Sequence, residues 1–182
     1  MRKALGVLFA ASLAVAGVVA IAGPASAGPL PPKCKTFKGT ETWSKPLPKI
    51  GVATKVSGNT VLKATLAGCS GVAGITGGTS NAVTPYKNQN CTTTIQSSNK
   101  GSKSTGTIKW NNGKTSTTAN TLTLKSKVGV SPATFQLVSK FTKGVGVGHT
   151  TTSTISVTLN KDACTKTSLK SAVFHATKST TK

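Results

Sequence analysis

The sequence predicts an all-β fold, an antiparallel β-sandwich or barrel of about eight or nine strands with two disulfides. Three observations predict it. Thr, Val, Ser and Gly dominate from Cys34 onward with almost no helical period, and β-branched side chains favour extended backbone. Several stretches alternate apolar and polar residues at a period of two, the pattern of a half-buried strand. The four cysteines, Cys34, Cys69, Cys91 and Cys164, form an even set.

Residues 1–27 read as a secretory signal peptide. Arg2 and Lys3 form a short positive start, Ala4 to Ile21 is an apolar run, and Ala25-Ser26-Ala27 is a small-x-small cleavage site. Cleavage falls between Ala27 and Gly28. An uncleaved anchor is the alternative reading, because the run is long enough to cross a thin bilayer. Small residues and the cleavage site favour removal. No twin arginine and no lipobox accompany the segment. Residues 28–182 form a single domain, opened by a Pro-rich lead-in and closed by a polar tail, 178–182, expected to fray.

Ten extended segments follow from the pattern: 35–43, 50–56, 60–68, 73–80, 91–97, 104–111, 115–127, 133–142, 150–160 and 169–177, of which one or two are expected to be loop. Five apolar stripes define the clearest of them. Ile108 and Trp110 share a face, as do Leu122 and Leu124. Phe135, Leu137 and Phe141 share another, with Ser139 between them. Ile155, Val157 and Leu159 form the fourth, and Ala172, Phe174 and Ala176 the fifth. Asn112-Gly113 is the strongest hairpin signal, with the residues of a type I′ turn. Gly144, Gly146 and Gly148 read as a hairpin connection, because the segment after them is a strand and a dinucleotide loop requires a helix there. With aromatic residues at 4%, the core is expected to be thin and aliphatic.

All four cysteines lie in the exported part, so disulfides are expected in an oxidising compartment. Three pairings are possible. Cys69–Cys91 and Cys34–Cys164 are favoured, the first stapling a Gly-rich excursion and the second tying the first strand to the last. Zinc is the disfavoured alternative, because no two cysteines are close in sequence, no CxxC occurs and His149 and His175 sit alone.

The full chain carries 23 basic and two acidic residues, a net charge of +21. Removing residues 1–27 takes Arg2 and Lys3 with them and leaves +19, every basic residue a lysine. Such a protein repels itself and attracts polyanions. The expected partners are anionic cell-wall polymer or anionic lipid. The competing reading is that singly scattered lysines only keep the protein soluble.

Certain strings are similar to those of small secreted actinobacterial proteins: KCKTFKGTETWS, ATLAGCSG followed later by NCTT, GTIKWNNGKTST, and CTKTSLKSAVFHAT. The resemblance spans most of residues 28–182 and implies an exported all-β domain with two disulfides. It implies no activity.

The residues offer little catalytic equipment. Glu41 and Asp162 are the only acids, and paired-carboxylate chemistry needs two at a set separation. Glu41, two residues before Trp43, is expected to form a salt bridge to one of the lysines. No Gly-x-Ser-x-Gly occurs, and Ser and Thr are so abundant that proximity to a histidine carries no signal for a Ser-His-Asp triad. No cofactor is expected. Lys can grip phosphate, but base reading relies on bidentate Arg, so specific nucleic-acid recognition is not expected. Asn90-Cys91-Thr92 fits the N-glycosylation pattern, which a bacterial-type chain is not expected to use. The sequence therefore predicts a non-catalytic envelope or extracellular module attracted to anionic polymers. The alternative is an effector acting on anionic membranes, and a hydrolase is the remote one.

Overall fold

The computed structural model describes residues 28–126, 132–160 and 162–182; the expected signal peptide and its cleavage site at Ala27 lie outside the described residues on the N-terminal side. The fold is a closed antiparallel barrel of eight strands in sequence order, the first pairing with the last. They are β1 (Lys33–Leu47), β2 (Val56–Ser70), β3 (Gly77–Gln89), β4 (Ser102–Trp110), β5 (Thr115–Leu124), β6 (Ala133–Gly144), β7 (Thr150–Leu159) and β8 (Leu169–Thr181). One helix, α1 (Cys91–Lys100), links β3 to β4. Of the two architectures expected, the barrel is the one formed; its shortest ladder is β3–β4, which pairs only Gly78 to Asn81 with Trp110 to Thr107.

The apolar stripes become the inner wall. Ile108, Trp110, Phe141, Ile155, Ala172 and Phe174 are all buried. Strand registers carry this alternation round the barrel, so Leu137 stands opposite Leu122 and Phe135 opposite both Leu124 and Ile155. Three side-chain layers result. One end is filled by Cys69, Ile75, Ile108, Trp110 and Phe141. Ala64, Ile155 and Phe174 form the middle, where the Phe37 and Phe174 rings lie 5.4 Å apart. Leu47, Cys91, Ala163, Cys164 and Leu169 pack the other end. Aromatic rings therefore contribute to every level except the last packed cluster, where Trp43 and Tyr86 flank it. The thin aliphatic core expected from composition is replaced by a lining in which the few aromatics sit inside.

Several sequence expectations change. Segment 91–97 is helical, not extended. Its Thr-rich composition disfavours a helix, but Asn90 caps it. The Asn90 side chain accepts from the Thr93 amide at 3.0 Å, and Thr93 Oγ1 accepts from the Asn90 amide at 2.9 Å. This is a capping box with Thr in the place of Glu or Gln. The side chain of Asn90 is buried at 5% exposure and committed to the cap and to the Val52 carbonyl, so the glycosylation pattern is closed in the folded chain. Segment 50–56 is mostly turn and loop, and the third strand runs from 77 to 89. The tail expected to fray is part of β8, with Lys182 and Thr150 exchanging two backbone hydrogen bonds of 2.9 Å.

The Asn112-Gly113 hairpin forms, but with a three-residue loop instead of type I′. Gly113 donates to the Trp110 carbonyl at 3.0 Å, and Trp110 donates to Lys114. Gly113 has φ +82°, and Asn112 is not in the left-handed region. A type I turn followed by a left-handed glycine is the next commonest hairpin solution. Gly144, Gly146 and Gly148 make the β6–β7 connection as expected, all with positive φ.

The disulfides are Cys34–Cys69 and Cys91–Cys164, and no described cysteine is free. The favoured pairing is corrected on geometric grounds. Cys69 ends β2 and Cys91 follows β3, so the two stand at opposite ends of the barrel. The 13 residues of β3 span about 40 Å at the rise of a strand, far beyond disulfide reach. The same separation parts Cys34 from Cys164. Cys34 instead faces Cys69 directly across the β1–β2 ladder.

Candidate functional site

Inward side chains do not fill the barrel. The lumen holds a cavity of about 1030 Å³, bounded by all eight strands and by α1. Its size follows from what points inward. An eight-stranded barrel has an interior that side chains fill only if they are large enough. Here Gly39, Gly78, Gly106, Ala82 and a set of serines and threonines occupy inward positions. The glycines at 39 and 78 are also required by closure. A Cβ on Gly78 would stand 2.8 Å from the Lys109 carbonyl oxygen, and one on Gly39 would overlap the Lys63 carbonyl.

Both ends are built deliberately. At the first end, Trp110 is 2% exposed and its indole donates to Ser116 Oγ at 2.8 Å; Ser116 in turn donates to the Val145 carbonyl at 2.7 Å. The lead-in folds over this end, where Gly28 donates to the Val147 carbonyl at 3.1 Å and its own carbonyl contacts His149 Nε2 at 2.6 Å. His149 thus tethers the N-terminal segment. His175 is exposed on the outer wall. At the other end, the Cys91–Cys164 bridge locks α1 to the β7–β8 connection. Cys91 donates to the Pro48 carbonyl at 2.9 Å and Ile50 to the Cys164 carbonyl at 2.8 Å. Three separate loops are thereby fused into one cover. Thr94, Ile95 and Ser98 of α1, together with Leu124 and Ala133, border the cavity beneath it.

The wall is mainly apolar, and among its scattered serines and threonines two polar features bear on binding. A continuous row of inward polar residues crosses four strands: Ser104 opposite Asn120, Asn120 opposite Ser139, and Ser139 opposite Thr151. The second feature is Glu41. It stands on β1 between Leu62 of β2 and Ala172 of β8, its direct partners across the two ladders. Trp43 lies two residues along the same face. In an eight-stranded barrel β5 is four strands from β1 either way, so the polar row occupies the wall opposite Glu41.

Glu41 forms no salt bridge with a described lysine, although a surface pair was expected. Among the described residues the single ion pair is Lys166–Asp162, at 3.9 Å and largely exposed. Protein encloses the Glu41 carboxyl, while a water-sized sphere still reaches part of the side chain; the reachable side is the lumen. Burial pushes its pKa above the usual 4.5, against a smaller downward pull from a hydrogen bond with Thr60. Glu41 is therefore an acid held above its ordinary range in a mainly apolar wall. Periodicity carried the signal: Phe37, Glu41 and Trp43 occupy alternate positions of one strand and must share a face.

The outer wall is the reverse of the inner one. Lys38, Lys63, Lys109, Lys140, Lys143 and Lys170 are exposed on it, separated by Thr and Ser. A membrane-spanning barrel instead carries an outward apolar band. No helix among the described residues is long and apolar enough to cross a membrane. The described residues contain no group of three or more His, Cys, Asp or Glu placed to hold a metal. No protein-family model, curated protein or solved structure matches the chain.

Proposed function

We propose that this is a secreted, non-catalytic binding protein whose ligand site is the barrel lumen. One observation carries the reading: a cavity of about 1030 Å³ with a mainly apolar wall inside a closed barrel stapled by two disulfides. Ligand sites are typically clefts of roughly 300–1,000 Å³, apolar with a few placed polar groups. A wall that only served stability would be filled, since each void forfeits packing energy. The disulfides and the signal-type segment 1–27 support an exported setting. The lysine exterior supports the second part of the reading, retention near anionic wall polymer or anionic lipid. Those lysines are exposed, and all but Lys166 lack an ion-pair partner among the described residues.

The test is a titration of the purified protein with Nile red, an uncharged dye that brightens in apolar surroundings. Saturable one-to-one brightening is expected, with quenching or transfer from Trp43, which borders the lumen. Brightening that never saturates, or that disappears in high salt, points to surface adsorption and contradicts the lumen site.

A further inference from the structure

We propose that the lumen takes a lipophilic amine, its basic nitrogen held by the Glu41 carboxyl and its apolar body by the surrounding wall. The proposal rests on the lumen reading above and specifies its ligand class. Four observations lead to it. Residues 28–182 hold 21 lysines and two acids, yet one of those acids faces the lumen and forms no ion pair with any described cation. Its direct neighbours across both ladders, Leu62 and Ala172, offer no charge and no hydrogen bond. Thr60 exerts the one hydrogen-bonding pull on its pKa, and the Thr60 hydroxyl also donates to the Thr84 carbonyl at 3.4 Å. Trp43, two residues along the same strand face, also borders the lumen, and aromatic faces attract cations.

A buried carboxyl without a counter-ion is costly and calls for a partner. Among ligand groups, an amine gains most there. An ionised hydrogen-bonded pair is roughly twice as strong as a neutral one. A hydroxyl gains only a neutral bond, which the Ser104–Asn120–Ser139–Thr151 row offers equally well. A carboxylate ligand would meet a second carboxyl.

The lysine exterior does not oppose this ligand class. An amine entering as its free base crosses the positive shell uncharged. Inside, it meets a carboxyl that burial favours in its protonated form. The proton passes from the carboxyl oxygen to the nitrogen: the O–H bond breaks, an N–H bond forms, and an ion pair results with no net charge moved. The other charged residues bordering the lumen are Lys35, Lys87, Lys103 and Asp162. Lys35 lies near the first end, and Lys87, Lys103 and Asp162 near the end covered by α1. No titratable group of β2 or β8 stands opposite Glu41 in register.

The experiment displaces lumen-bound Nile red with decylamine, decan-1-ol and decanoate, below their aggregation limits and in salt high enough to screen the exterior. Wild-type protein and Glu41→Gln are compared, with circular dichroism confirming the fold of both. In the wild type, decylamine should bind about 10- to 100-fold more tightly than decanol, the range of a hydrogen bond to a charged group. In Glu41→Gln the two should converge, each displacement being referred to the dye affinity measured for that protein. Equal or tighter binding of decanol or decanoate by the wild type overturns the amine proposal, whatever the variant does. An amine preference that survives in Glu41→Gln also overturns it. In either case dye that still fills the lumen leaves the underlying binding reading standing. Dye that never binds removes both.

Discussion

Replacing Cys91 and Cys164 together by alanine removes the bridge that fuses the cover at one end of the barrel. The sequence separation it closes is 73 residues, against 35 for Cys34–Cys69. The chain-entropy relation assigns about 4.4 kcal/mol to the longer loop and about 3.8 to the shorter. Cys91 is fully buried and Cys164 nearly so, so two small voids add up to about 1 kcal/mol. A loss of about 5 kcal/mol is expected, equivalent to a fall of roughly 10–20 °C in Tm for a domain of this size. Urea unfolding of the variant beside wild type and a Cys34/Cys69 double-alanine variant measures it. The losses should differ in kind as well as size. Without Cys91–Cys164, amides of Ile50, Cys164 and the first turn of α1 should exchange faster with solvent, since these loops are held chiefly by that bridge and a few hydrogen bonds. Without Cys34–Cys69, the β1–β2 ladder still pairs ten residues of β1, so exchange should rise only near the ladder's end. A loss under about 1 kcal/mol, or protection of α1 unchanged, would refute the reasoning that the bridge holds the cover shut.

Three further outcomes follow. Glu41→Gln should stabilise the protein at about pH 8 and leave it unchanged below about pH 4: with its folded pKa raised, the wild-type carboxyl is neutral in both states at low pH and its stability contribution is lost as pH rises through the folded value. Urea midpoints of both proteins across this range check the sign. Ser116→Ala should cost about 1–3 kcal/mol, because it strands the Trp110 indole N–H and the Val145 carbonyl at a site where Ser116 is 1% exposed. Thermal unfolding measures it, and Ser116→Thr should recover part of the loss. Binding to anionic wall polymer should weaken steeply as salt rises from about 0.05 to about 0.5 M, as counterion release and screening require; single Lys→Gln changes at Lys38 or Lys140 should each cost little, because the lysines are spread over the wall.

The inner wall was legible because a strand's alternation survives any arrangement of strands. Ile155, Val157 and Leu159 point one way whether the sheet closes or stacks, so five stripes could be assigned before the architecture. What depends on relative placement was not legible. The cysteine pairing turns on which loops share an end of the barrel, and up-and-down connectivity puts Cys34 with Cys69 and Cys91 with Cys164. Helix α1 was hidden because its ten residues are Thr- and Ser-rich, and Asn90, its cap, stood just ahead of a segment, 91–97, that looked extended. The hollow interior is a volume property: the pattern shows which face is inward but not that glycines and serines there leave it unfilled. Glu41 was misread for a chemical reason. In a chain so rich in lysine, pairing at the surface was the economical expectation, although Phe37 and Trp43 on the same face already pointed it inward.

The lumen as binding site is tested most directly by locating a ligand. Crystals soaked with 10-bromodecan-1-ol should show an anomalous bromine peak inside the barrel, among Phe37, Leu62, Phe135 and Leu137, with the Cys91–Cys164 cover in place. Bromine found only on the lysine-bearing outer wall, or an interior in which these side chains have collapsed and closed the cavity, would contradict the account.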